Sequence, residues 1–129
     1  MNLAAWISRV TLGLIFAWFG LLKLFGVSPV VAVIEQVYPW IIHTPGLYTL
    51  LGIFELGLGV GILIPKVTAL VGWVMIAHLS FATGGVLISP QSFSNGFPFL
   101  SVIGEFVVKN FALMALTFFL ICHRRNLHN

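Results

Sequence analysis

Charge is scarce in this chain of 129 residues: 7% of positions are charged, with three acidic and six basic side chains. A soluble domain of this size needs far more polar surface, so the scarcity excludes the ordinary soluble class. Cysteine is nearly absent too. Cys122 stands alone, which excludes an internal disulfide, a CxxC redox pair, a thiolate metal cage and thiol chemistry of the vitamin-K-reductase kind. The basic residues are too few and too dispersed to track a phosphate backbone, so no nucleic-acid partner is expected. Proline is confined to the gaps between apolar runs, at Pro29, Pro39, Pro45, Pro65, Pro90 and Pro98, where its missing N–H interrupts no helix.

What the chain does have is hydrocarbon. Apolar residues make up 60% of it and the mean hydropathy is +1.11. Measured against a bilayer, which needs about 20 apolar residues per spanning helix, the length leaves room for about four spans and short connections, and for no separate soluble domain. The apolar runs predict helices at about 6–25, 46–64, 67–88 and 101–122 within a single domain covering 1–129. The expected fold is all-α: a polytopic membrane four-helix bundle. The tight Pro65-Lys66 link makes the second and third spans antiparallel neighbours. The first run lacks a basic leader and a small-residue cleavage site, and reads as a helix that stays in place.

Arg9, Lys66, Arg124 and Arg125 all fall on one side of these spans, so the positive-inside rule predicts cytoplasmic termini. Lys23 is the exception, near the outer end of the first span, where its stem can snorkel to the interface or reach an acid. The two outer connections are rich in proline and aromatics. Each opens with Ser-Pro (Ser28-Pro29, Ser89-Pro90) and carries an aromatic-Pro-aromatic triplet (Tyr38-Pro39-Trp40, Phe97-Pro98-Phe99) at nearly equal spacing. The spacing fits either a parallel duplication of a two-helix unit or the general preference of these residues for interfaces. Val30 to Val37 fits a short helix on the outer membrane surface.

Ionisable residues inside the runs are the candidate site. Glu55 lies near the middle of an otherwise uncharged stretch, Gly46 to Ile64, His78 at a similar point in the next, and Glu105 and Lys109 four residues apart in the last. A charge at mid-membrane costs about 2.5 to 3.5 kcal/mol on insertion scales, so each needs a partner, a proton or water. Helical rise places Glu55, His78 and Lys109 about 12 to 15 Å below the outer surface, with Glu105 and Lys23 nearer to it. Two readings follow. Glu55 with Lys109 and Lys23 with Glu105 are buried ion pairs that fix helix register, or the cluster of Glu55, His78, Lys109, Glu105 and Lys23 binds a polar headgroup or relays protons. His78, with no second ligand at metal spacing, is expected to be a hydrogen-bonded core residue, and no metal site is expected. Gly52, Gly57, Gly59 and Gly61 are expected to permit close packing, with Gly57 and Gly61 as the GxxxG pair. Trp18 and Trp73, with Phe16, Phe19 and Phe81, fit either bundle packing or the lining of an apolar pocket.

Several segments together resemble the DoxX-like four-helix membrane proteins. They are Arg9 to Lys23 (RVTLGLIFAWFGLLK), Leu51 to Glu55 (LGIFE) with the glycines that follow, Gly96 to Ser101 (GFPFLS), and Gly104-Glu105-Phe106 with Lys109-Asn110. The segment leading into the fourth span is most similar to the reactive-chlorine-resistance inner-membrane branch. The resemblance covers nearly the whole chain and implies that Arg9, Lys23, Glu55, Glu105 and Lys109 are family-type polar positions. It also implies a multi-pass protein of the bacterial cytoplasmic membrane, acting as a subunit or accessory protein of a redox or stress system, with any catalytic redox centre supplied by a partner. A quinone is the candidate cofactor. The bilayer, other membrane subunits or further copies of the chain are the candidate partners. A small transporter or proton-conducting module and a structural scaffold remain open beside that reading.

Overall fold

A computed structural model describes residues 3–28, 31–88 and 109–127, with side chains as far as His123. Among these the chain is all-helical: α1 (Leu3–Leu24), α2 (Val31–Val37), α3 (Pro39–His43), α4 (Leu47–Gly61), a 3-10 turn (Pro65–Val67), α5 (Thr68–Leu87) and α6 (Asn110–Leu127). Two stretches, Leu3–Leu24 and Pro65–Leu87, are long and apolar enough to cross a membrane, and Leu47–Gly61 and Asn110–His123 are shorter apolar helices. Glu105, Ser89-Pro90, Phe97-Pro98-Phe99, the start of the expected fourth span and the side chains of Arg124 and Arg125 lie outside the described residues.

Local chemistry sets the boundaries. α1 begins at Leu3, three residues before the expected start. α4 stops at Gly61 rather than Ile64, because Leu63 and Ile64 donate to Val60 and Gly61 at 3.2 and 3.0 Å and tighten the last turn ahead of Pro65. Pro65 and Pro39 each open a helical turn, where a preset φ helps and a missing N–H costs nothing. The connection after α1 holds α2 at nearly its expected range and also α3, which the hydropathy reading leaves out. Three buried hydroxyls bond the carbonyl four residues back, with Ser8, Thr68 and Thr117 donating to Ala4, Ile64 and Leu113, whereas the buried Thr83 Oγ1 in α5 has no hydrogen-bond partner among the described residues.

α1 lies antiparallel on α4, the most extensive helix contact in the described residues, and α5 on α6 is the next. All four contribute to one core that includes Leu12, Phe16, Leu58, Met75, Leu79 and Leu120. The α1–α4 seam is glycine on glycine. A Cβ on Gly20 would stand 2.6 Å from the Gly52 carbonyl oxygen, and one on Gly59 would stand 2.5 Å from the Ala17 nitrogen and 2.7 Å from the Gly13 oxygen. Those are backbone atoms, which cannot yield cheaply, so glycine at these positions sets how closely the helices approach. The GxxxG expectation is corrected accordingly: a Cβ on Gly57 would meet nothing within 4 Å, and one on Gly61 would meet only Val71. Trp18 and Trp73 do not line the interior cavities, although Trp18 borders an apolar surface groove of about 530 Å³ with Leu14 and Leu21. Both tryptophans are outward, at 66% and 49% exposure, while Phe16, Phe19 and Phe81 do line cavities.

α4 and α5 are joined by the short 62–67 link, yet their contact is sparse compared with the α1–α4 and α5–α6 seams. They meet where Gly61 faces Val71. Towards the other end an apolar groove of about 500 Å³ lies between them, with Trp40 and Ile41 of α3 at its side. Tyr38 pins this region: its hydroxyl donates to the Phe81 carbonyl at 2.7 Å, and its ring stacks on Phe81 at 4.4 Å. Gly85 makes room for it, since a Cβ there would collide with the Tyr38 ring and hydroxyl.

Candidate functional site

The glycine seam positions the charged residues. Lys23 follows Gly20 by three residues and Glu55 follows Gly52 by three, so each charge shares a helix face with a contact glycine. The Lys23 Cβ lies 3.1 Å from where a Gly52 Cβ would stand, and Glu55 is about 4.5 Å of helix rise further along α4. Helical side chains lean towards their own N-terminus. On antiparallel helices Lys23 therefore leans towards the level of Glu55, and Glu55 leans back towards Lys23. Their ends meet: Lys23 Nζ is 2.6 Å from Glu55 Oε2, with each residue only 6% exposed.

The second carboxylate oxygen is taken from α5. His78 Nε2 lies 3.1 Å from Glu55 Oε1. A carboxylate only accepts hydrogen bonds, so this contact places the imidazole proton on Nε2 and leaves Nδ1 on the far side of the ring. Phe16 and Phe54 flank that ring, with centroids at 6.3 and 5.5 Å. One helix thus supplies the cation, a second the anion and a third the titratable donor.

Beside this triad is a cavity of about 160 Å³, whose walls include Phe16, Phe19, Lys23, Glu55, His78 and Asn110. Lys23, Glu55 and His78 meet in its wall and most of the remaining lining is hydrocarbon, the usual composition of a small-molecule site. Lys23 brings three N–H donors, of which one serves Glu55, and Asn110 can both donate and accept. That set suits a carbonyl, hydroxyl or small anionic group, and a proton can be exchanged between His78 and Glu55.

Of the residues singled out from the sequence, Lys23, Glu55 and His78 come together. Lys109 does not join them. It is exposed, with Nζ over the Phe19 ring at 5.6 Å from its centroid, and the expected Glu55–Lys109 pair is replaced by Glu55–Lys23. Lys23 accordingly turns inward instead of snorkelling, because Gly52 leaves its stem a path down the seam. Glu105 lies outside the described residues. Asn110 and Ser28 line the cavity without having been candidates. Asn110, a polar residue opening an apolar helix, was the readable signal. No protein-family model, curated protein or solved structure matches the chain.

Proposed function

We propose that the chain is a multi-pass protein of the bacterial cytoplasmic membrane, in which α1, α4, α5 and α6 form a DoxX-like four-helix bundle with both termini on the cytoplasmic side. Its function on this reading is that of a small membrane subunit or accessory protein of a redox or stress system, holding the polar head of a quinone or lipid in the cavity beside Lys23, Glu55 and His78. The observation that carries the reading is the Lys23–Glu55–His78 triad, its ion pair buried and its imidazole half-buried, against an apolar-walled cavity. The outside of the helices supports the membrane setting, since large hydrophobics such as Leu14, Trp18 and Leu70 face outward at 62%, 66% and 68% exposure. An apolar exterior around a charged interior is the reverse of a water-soluble fold.

A scaffold role has an observation of its own, because the Lys23–Glu55 pair sits on the glycine seam and locks its register. The two readings separate by titration of purified protein in lipid nanodiscs with a short-chain quinone and a lysophospholipid, followed through the fluorescence of a variant that keeps Trp40 as its single tryptophan. Saturable binding that weakens at least about tenfold in His78→Phe and Glu55→Gln, with helical content retained, is expected. Absence of saturable binding by either probe leaves the scaffold.

A further inference from the structure

His78 lines two spaces. On one side is the polar-edged cavity with Lys23 and Glu55, and on the other the apolar groove between α4 and α5, lined by Trp40, Leu50, Ile53, Phe54 and Phe81. Among the described residues no other side chain borders both. From this juxtaposition, and resting on the headgroup reading above, we infer that the ligand is a single-ring quinone or quinol with one apolar tail, its head in the cavity and its tail leaving past His78 along the α4–α5 groove.

Size selects the head. A protein cavity of about 150 Å³ accommodates benzene, and this one is about 160 Å³. One six-membered ring matches such a space more closely than a fused two-ring head or a glycerophosphate. Chemistry selects the oxygens on that ring, because Lys23, His78 and Asn110 bring N–H donors to an otherwise largely hydrocarbon wall. Geometry selects the tail's route. A cavity matched to one ring leaves little room for an alkyl or isoprenoid tail, whereas the adjoining groove of about 500 Å³ is walled by leucine, isoleucine and aromatic side chains and exists because α4 and α5 pack so sparsely. The partition is a single imidazole. On its groove side Phe54 meets it edge to face, a contact worth about 0.5–1.5 kcal/mol, and the hydrogen bond that it gives Glu55 is one a quinone oxygen can accept instead.

The test compares four probes in nanodiscs: decyl-benzoquinone, the same ring without a tail, a naphthoquinone with a short isoprenoid tail, and a lysophospholipid. Each is titrated against the unmodified protein, Ile53→Trp and Leu50→Trp. Ile53 and Leu50 are more than half exposed, so a larger side chain there narrows the groove without entering the core, and either variant alone suffices. The tailed single-ring probe is expected to bind at least about tenfold tighter than the naphthoquinone and the lysophospholipid, and to lose at least about tenfold in the groove variants while the tail-less ring is unaffected. Equal binding of the two-ring probe, or equal loss with and without a tail, overturns this inference while leaving the headgroup site standing. Failure of all four probes to saturate overturns the headgroup site itself.

Discussion

Lys23 Nζ and Glu55 Oε2 stand 2.6 Å apart on antiparallel helices, and the pair is buried on both sides. Removing one member of such a pair strands the other without a counter-charge, at a cost of about 3–5 kcal/mol, while removing both is much milder. Glu55→Gln and Lys23→Met are each expected to destabilise the fold by that order, and the double variant by clearly less than their sum. A double-mutant cycle of SDS-induced unfolding measures the coupling. Additive losses would show that the two groups do not interact energetically.

The glycine seam makes a sharper contrast. Gly59→Ala drives a methyl against the Ala17 and Gly13 backbones, and a loss of about 1–3 kcal/mol is expected from overpacking. Gly57→Ala, two residues away on the same helix, meets open space and is expected to gain up to about 1 kcal/mol from helix propensity. Thermal unfolding of the two variants in one detergent decides the matter, and equal effects would mean that the α1–α4 approach is not set by these glycines.

These two cases show what the sequence could and could not convey. Glu55 and His78 stand out because each interrupts an apolar run, so their interior position follows from the cost of exposing a polar group to hydrocarbon. Their partner could not be read in that way. Lys23 sits at a run's end, where a lysine normally reaches for the interface, and only the antiparallel register of α1 and α4 turns it inward. Depth along a single helix puts Lys109 level with Glu55 but says nothing about which face it occupies. The GxxxG motif misled for a similar reason: it is a local spacing, while the true seam pairs Gly13 and Gly20 with Gly59 and Gly52 across two helices. The helix at Val31–Val37 was legible from its apolar pattern, whereas α3 depends on Pro39 and on the Tyr38 anchor.

That anchor is itself testable. Tyr38→Phe keeps the ring stacked on Phe81 and deletes only the bond to the Phe81 carbonyl, so a loss of about 1 kcal/mol is expected. Gly85→Ala fills the space that Tyr38 occupies and is expected to release α2 and α3 altogether. Hydrogen exchange across Val31–His43 reads the difference: faster in Tyr38→Phe, faster still in Gly85→Ala, and unchanged at Leu12 and Leu58 in both. Uniform acceleration through the molecule would mean that Tyr38 stabilises the whole fold and not its outer cover.

The proposed orientation rests on Arg9, Lys66, Arg124 and Arg125, which the positive-inside rule assigns to the cytoplasm. The triad then opens towards the outer half of the membrane, because Lys23 lies at the α1 C-terminus, away from the Lys66 turn, and Glu55, midway along α4, leans up towards it. A fluorescent-protein fusion after Asn129 is expected to be active, since that reporter matures in the cytoplasm, and an alkaline phosphatase fusion in the Gln91 to Asn95 connection is expected to be active because it requires the oxidising side. Reversing the two outcomes would turn the molecule over, so that a ligand reaching His78 through the α4–α5 groove would come from the inner leaflet. Adding lysines beside Ser28 supplies an independent check: if loop charge sets the orientation, the added positive charge competes with Arg9 and produces a mixed population, which protease protection of the two ends resolves.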